Sequence, residues 1–528
     1  MLLWAAAVRV VIDCDDKARV TGAEPEAESS TMSSGRVQLS DLNDFITPGQ
    51  ACIKPVEVQR EEGKPAKIAI EPDGSYMQLK EDGTKVKLEK AKITLNDCLA
   101  CSGCVTSAES VLIEKQNHKE LENAVQNKKE GSLVCVCISQ QSYASLAVRF
   151  DISAVEACQR LVTFFKSIGV DYVFDVTVGR SIALRESARE LVSRVRNPME
   201  GSPVPVLASS CPGWICYAEK THPEALPFIS KVKSPQQIMG ALVKYHFAPQ
   251  LGVKPQDVFM VAVMPCFDKK LEASRQDFYS DIYRTRDVDC VIVSHEVETM
   301  LEERKLRLND VEMGQLDSVL RPGHFDQVVG HVGSGSGGYL HHVLLYAARE
   351  LHGVEMSEVE MVSRRGEDYK DTQVCVDGKP VLKMATAYGF RNIQNIIRRV
   401  KRNKCPYQYV EIMACPKGCV NGGGQIRHAD PTMKDVTPTL VARQYHAVPA
   451  KNAWDDERVA TLLDALDAER EQQKQKQGPE QQKQVREQEQ GEDSVAADAV
   501  VLLPSNEQLF FTKYHRVEAT IMPQFEAW

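Results

Sequence analysis

The chain has 528 residues, 43% of them hydrophobic and 26% charged, with a net charge of −9 and a pI near 5.8. That length supports two or more domains with cores of their own, and the acidic balance argues against a nucleic-acid binder, which shows a basic face. No apolar run approaches the roughly 20 residues of a membrane helix, and sixteen cysteines in a long chain with no convincing secretory leader point to metal or redox work in a reducing compartment.

Residues 1–36 open on an apolar stretch without a basic flank, and Glu24, Glu26 and Glu28 count against a mitochondrial presequence. They read as disordered, or as an extension ahead of a start at Met32. Residues 37–130 form a first unit. Cys52 sits there in a loop framed by Pro48, Gly49 and Pro55. Residues 64–95 alternate apolar and polar side chains, as a small β element does. The run Cys98-Leu99-Ala100-Cys101-Ser102-Gly103-Cys104 follows.

Residues 131–450 form the main domain. Leu133 to Ile138 is a continuous apolar run, expected of a strand buried on both faces. A helix is predicted over 153–167, a strand over 172–176 and a helix over 181–196. Further strands are predicted over 204–208, 258–263, 288–293 and 408–413. Strands alternating with helices imply parallel sheets with covered faces. Residues 451–498 comprise a helix to about 470 and a Gln/Glu/Lys-rich linker that buries too little to order itself. Residues 499–528 turn apolar again and end at Trp528.

Two groups of cysteines carry the chemistry. Thiolate is the usual ligand of iron–sulfur cubes, and a 4Fe–4S cube takes four. Cys98, Cys101 and Cys104 supply three to a first cube, and Cys52 is the best candidate for the fourth. A zinc knuckle is the competing reading, but zinc favours paired CxxC units over an overlapping triple, and no well-placed histidine completes this one. The second group is Cys211, Cys266, Cys415 and Cys419. Cys211, Cys266 and Cys415 each lie just past a predicted strand, where open α/β sheets place their sites, and Cys419 follows four residues after Cys415.

Three signatures around this second group, SSCPGW (209–214), MPCFDKKLE (264–272) and MACPKGCVNGGGQ (413–425), resemble the motifs of the FeFe-hydrogenase catalytic domain. With LNDCLACSGCVTSAE (95–109) and DFITPGQACIKP (44–55), the chain is similar to the eukaryotic iron-only-hydrogenase-like family, which groups cytosolic iron–sulfur assembly factors with prelamin A recognition factors. The resemblance covers most of residues 37–450. It implies an α/β fold of two lobes, with parallel sheets covered by helices and a small N-terminal Fe–S region. It also implies two 4Fe–4S clusters, the second held between the lobes by Cys211, Cys266, Cys415 and Cys419.

Lys269 matches the family lysine beside the di-iron subsite, against the alternative of an ordinary surface lysine. Ser210 stands where hydrogenases carry a proton-relaying cysteine, and a hydroxyl is a poor relay because its pKa far exceeds a thiol's. Lys417 replaces the first glycine of the family's CPGGC loop. The expectation is a non-catalytic carrier that helps deliver clusters to cytosolic and nuclear apoproteins. The alternatives are an FeFe hydrogenase and a nuclear lamina-binding protein.

The resemblance further implies a cytoplasmic protein with a reach into the nucleus. Its partners would be a targeting complex that includes a WD-repeat protein, together with apo Fe–S clients, and neither nucleic acid nor membrane. Trp528, with Glu526 near it, is the candidate docking residue. Gly333 to Gly338 satisfies GxGxxG, yet a glycine-rich helix start facing the cluster is preferred to a nicotinamide site. Cys135, Cys137, Cys158, Cys290 and Cys375 are read as core, and Cys405 is left out of both sets.

Overall fold

The computed structural model describes residues 107–517 apart from 199–202, 365, 429, 434–435 and 477–502, together with three short strands upstream. Those strands, β1 (Lys67–Ile70), β2 (Tyr76–Leu79) and β3 (Lys85–Lys87), form an antiparallel meander, as the alternation over 64–95 predicts. Helices α1 (Ser107–Lys115) and α2 (His118–Gln126) lead into the main domain.

The first lobe is built on β4 (Leu133–Ile138), α3 (Gln140–Phe150), α4 (Ala154–Ser167), β5 (Tyr172–Asp175) and α5 (Thr177–Arg196). Strand β6 (Val206–Leu207) and helices α6 (Pro212–Thr221) and α7 (Pro235–Leu242) follow. Next come β7 (Val258–Met264), α8 (Asp268–Ala273), β8 (Cys290–Val293) and α9 (Ser294–Glu303). Four of these strands make an all-parallel sheet in the order β8-β7-β4-β5. Val134, Val136 and Ile138 join one hydrophobic core while Cys135 and Cys137 join the other. Side chains alternate across a strand, so an unbroken apolar run is what a doubly covered strand requires.

The second lobe holds α10 (Tyr339–His352), β9 (Val362–Ser363), β10 (Tyr369–Val376), β11 (Lys379–Tyr388), α11 (Phe390–Lys401) and β12 (Tyr409–Met413). Its sheet runs β9-β10-β11-β12-β6, and the two steps from β11 through β12 to β6 are parallel. The β10–β11 pairing is an antiparallel hairpin at one side of that sheet. Its turn is Asp377-Gly378, both at positive φ (50° and 74°), and Asp-Gly is a strong hairpin signal. Helix α12 (Thr437–Ala447) packs on α3 of the first lobe, and α13 (Glu457–Lys476) runs six residues beyond the expected 470. The last described segment, Leu503 to Val517, contains the short helix α14 (Asn506–Phe510).

Candidate metal centre

Cys211, Cys266 and Cys415 lie beyond the carboxyl ends of β6, β7 and β12. The parallel connections of both sheets send these ends the same way, and Cys419 reaches the group through the turn after Cys415. Cys211 caps α6, with Pro212 at the first helical position, where a missing N–H costs nothing. Its Sγ accepts a hydrogen bond from the Ala414 N–H at 3.3 Å, so the Cys211 and Cys415 loops touch directly. The Gly418 N–H donates to the Cys415 carbonyl at 3.1 Å, and the Cys419 N–H donates to Ser336 Oγ at 3.0 Å. Gly418 has φ 77°, and a side chain there would run into Ser336 Oγ, 2.3 Å from its Cβ position. Gly424 N–H bonds the Pro265 carbonyl at 2.9 Å, which fastens the glycine run to the Cys266 loop.

The four thiols feel one another. Burial is the largest cause raising each of them, and every pair among the four adds mutual repulsion between thiolates. Cys211 is pushed up to about 12 by burial and then by Cys419. Among the described residues no three His, Cys, Asp or Glu side chains crowd together closely enough to share one metal ion. The four cysteines lie within electrostatic reach of one another, and a cube would call on such a set because each thiolate there takes its own iron. Four soft sulfur donors without a histidine or carboxylate among them suit an iron–sulfur cluster. Loading it releases the protons that burial holds on the thiols.

The surroundings are polar and buried. Lys269 follows Cys266 by three residues and is 9% exposed, not an ordinary surface lysine. Its Nζ pairs with Glu272, which also accepts from Ser234 Oγ. Lys269 and Arg180 both act to lower the Cys419 pKa, placing two cations on its side of the set. Arg180 is fixed by Gln140 Oε1 at 2.7 Å and the Tyr445 hydroxyl at 3.2 Å. Asp268 is buried against Gly213, and burial raises its carboxyl to about 6. Ser210 faces the Tyr339 phenol.

The glycine-rich turn packs against the Cys419 loop. Ser334 Oγ donates to Glu411 Oε1 at 2.6 Å, and Ser336 receives the Cys419 amide. Gly338, φ 75°, starts α10. Cys135, Cys137, Cys158, Cys290 and Cys375 are all buried core side chains, as expected. Sequence reasoning passed over Cys216, which lies on α6 one turn past Cys211, and its SCPGWIC spacing was the available signal. Cys52, Cys98, Cys101, Cys104 and Trp528 lie outside the described residues. An open groove of about 540 Å³, lined by residues such as Lys129, Phe259 and Arg284, includes none of the four cysteines.

Residues 132–423 match the family described as the iron only hydrogenase large subunit, C-terminal domain. A cytosolic Fe-S cluster assembly factor of Xenopus tropicalis is 51% identical over 437 residues, 81% of this chain and 92% of the relative. The mouse cytosolic iron-sulfur assembly component 3 is 51% identical over 75% of this chain and 85% of its own length. The chain belongs to this family of hydrogenase-like cytosolic iron–sulfur assembly factors. Its fold is that of the FeFe-hydrogenases. One such structure aligns over 66% of this chain and 93% of its own, with TM-score 0.57 and 26% identity. Another, from Chlamydomonas reinhardtii, aligns over 75% of this chain and 98% of its own, with TM-score 0.59 and 24% identity.

Proposed function

We propose that this chain is a non-catalytic component of cytosolic iron–sulfur protein assembly that carries two 4Fe–4S clusters and helps deliver clusters to cytosolic and nuclear apoproteins. The convergence of Cys211, Cys266, Cys415 and Cys419 from the ends of three strands carries the reading for one cluster. Bound there, the cube supplies a one-electron couple and a transferable inorganic unit. The protein's part is to orient four sulfurs, exclude water and place Lys269 and Arg180 where they offset the cluster's negative charge.

The first cluster is assigned to Cys52, Cys98, Cys101 and Cys104. Helix α1 begins three residues after Cys104. It docks Ile113 against Leu271 and Phe267, on the helix that follows Cys266. The Gln116 amide reinforces this contact, donating to the Lys270 carbonyl at 2.9 Å and to Ser274 Oγ at 2.8 Å. That docking ties the segment that follows Cys104 to the helix that follows Cys266, which supports a role in passing electrons or clusters between the two groups.

The deciding experiment measures iron and acid-labile sulfide per chain on anaerobically purified protein, with EPR after dithionite. About eight irons, halved by either Cys101→Ala or Cys415→Ala, is the expected result. Zinc in place of iron, or no loss on mutation, would refute the ligand sets. Hydrogen evolution with reduced viologen, above a Cys415→Ala control, would instead make the protein a hydrogenase despite Ser210. Trp528→Ala should retain full iron yet lose capture of the WD-repeat subunit of the targeting complex.

A further inference from the structure

The segment Leu503 to Val517 reaches residues of both lobes, Val232 and Glu219 on one side and Arg275 on the other, and lies against the hydrophobic cluster that includes Cys211 and Cys415. Leu503, Leu509 and Phe510 are buried in the main core. Phe511 bridges Val232 antiparallel, with the Lys233 N–H donating to the Phe510 carbonyl and the Thr512 N–H to the Lys231 carbonyl, both at 2.8 Å. Ser209, two residues before Cys211, donates its hydroxyl to the carbonyl of the same Val232 at 2.7 Å. The strap is therefore one bonded step from the loop that presents Cys211.

Beyond that bridge, Tyr514 packs on the hydrophobic cluster whose margin includes Cys211 and Cys415. The Arg275 guanidinium lies 5.7 Å over its ring. Arg275 forms a bidentate pair with Glu219 at 2.7 and 2.8 Å, and Glu219 also accepts the His515 N–H at 3.1 Å. Glu219 sits on α6, which starts at Cys211, whereas Arg275 follows α8, which starts just after Cys266. The clip thus joins helices that run from two ligands brought by different lobes. A cavity of about 20 Å³, room for a single water, remains between the strap residues Thr512 and Tyr514 and the site residues Ser209, Cys216 and Glu272.

We propose that residues 503–517 are a seal over the second cluster and that Tyr514 is a positioning residue holding the seal closed, so that the strap sets how fast solvent, chelators and acceptors reach the cube. This rests on the assignment of the cube to Cys211, Cys266, Cys415 and Cys419. Residues 512–517, held by the bridge, the Tyr514 ring and polar contacts to Ser209, Glu219 and Asp277, open more readily than Leu503, Leu509 and Phe510, which stay buried in the core. Opening it uncovers the Cys211 loop without unfolding either sheet.

The test uses the full chain in a Cys101→Ala background, which leaves the second cluster alone. Iron release to a colorimetric chelator under argon is followed for the parent, Tyr514→Ala and Tyr514→Phe. Tyr514→Ala should release iron about tenfold faster, given the apolar contact it removes. Tyr514→Phe keeps the ring but loses the hydroxyl's hydrogen bond with Ser209, so its rate should fall between the parent and Tyr514→Ala. A second arm strips the metal and follows maleimide alkylation of Cys216 by peptide mass, where the same order of rates is expected. Equal rates for all three proteins in the alkylation arm would overturn the seal. Absence of iron from the Cys101→Ala protein would sink the cluster assignment, while the alkylation arm would still decide the seal. Should Tyr514→Ala not fold, Thr512→Pro removes the hydrogen bond to Lys231 and loosens the strap at Phe511, and must accelerate both reactions.

Discussion

The two lobes contribute unequally to the centre. The all-parallel lobe supplies one cysteine, Cys266, together with Lys269 and Asp268. The mixed lobe supplies Cys211, Cys415 and Cys419. The lobes also differ in what is attached to them near the site. The Cys266 side receives α1, fixed by Ile113 and Gln116. The Cys211 side receives the C-terminal strap at Val232. A cluster bound there would be shared one-to-three across the seam, with α1 on one leg and the strap on the other. Both segments could then influence the site without either sheet changing.

The sharpest way to break that asymmetry is to cut the single leg. Cys266→Ala removes the only cysteine ligand of the first lobe. It should abolish the second cube as completely as Cys415→Ala, with a loss of about four irons per chain. Retention of a cube by Cys266→Ala but not Cys415→Ala would place the cluster wholly in the second lobe. A smaller effect should follow from Ile113→Ala, which empties the contact with Leu271 and Phe267. Deletion of a buried aliphatic side chain costs about 2 kcal/mol or more. Here it should appear as lost hydrogen-exchange protection over residues 107–115, with the iron held by Cys415 unchanged. Uniform loss of protection across both sheets would show instead that α1 is part of the global core.

Much of this arrangement was legible in the sequence, for identifiable reasons. Leu133 to Ile138 announced a doubly covered strand because no polar residue interrupts it, and both cores indeed draw on it. The four cysteines stood out because strand ends precede three of them. The β10–β11 hairpin escaped because its strands mix polar and apolar residues, although Asp377-Gly378 marked the turn. The strap was not legible, because residues 503–517 carry no periodic pattern. Their fit depends on Val232, Glu219 and Arg275, which are more than 200 residues away. Burial of Lys269 was legible only through the family resemblance, since by spacing alone a lysine beside a helix start reads as surface until Glu272 and Ser234 close over it.

The elements that flank the glycine-rich turn offer a pH-based contrast. Ser181 Oγ lies 2.8 Å from His331 Nε2 and donates to Asp456 Oδ2 at 2.9 Å. The serine, not the histidine, is central, so this is a buried structural link and not a nucleophilic triad. Burial, then Arg180, pushes His331 well below the usual histidine range, and burial, then His341, lowers His342 to about 3. Below pH 6.5 the unfolded chain binds protons that the fold refuses, so stability should fall as pH drops from there toward 3. Each histidine should cost about 1 kcal/mol between pH 6.5 and 5.5. Urea midpoints at pH 7.5 and 5.5 should converge in His342→Gln relative to the parent, and an unchanged gap would assign the acid sensitivity to other groups.

The smallest expected effect lies in the mixed lobe's own cysteine loop. Lys417 holds φ 62°, and its N–H donates to Asp368 Oδ1 at 2.6 Å. A side chain in the left-handed region costs about 1 kcal/mol, a strain glycine does not meet. Glycine also loses more freedom on folding, which returns part of that gain. Lys417→Gly should therefore raise the thermal midpoint of the iron-loaded protein slightly, by an amount equivalent to about 0.5 kcal/mol. Lys417→Ala keeps the strain and should not raise it. Iron content should be the same in all three proteins, because the Cys415 and Cys419 positions are fixed by Gly418 and Ser336 instead. A fall in iron content with either variant would show that the lysine charge helps to hold the cluster, and that the second lobe contributes a cation as well as three sulfurs.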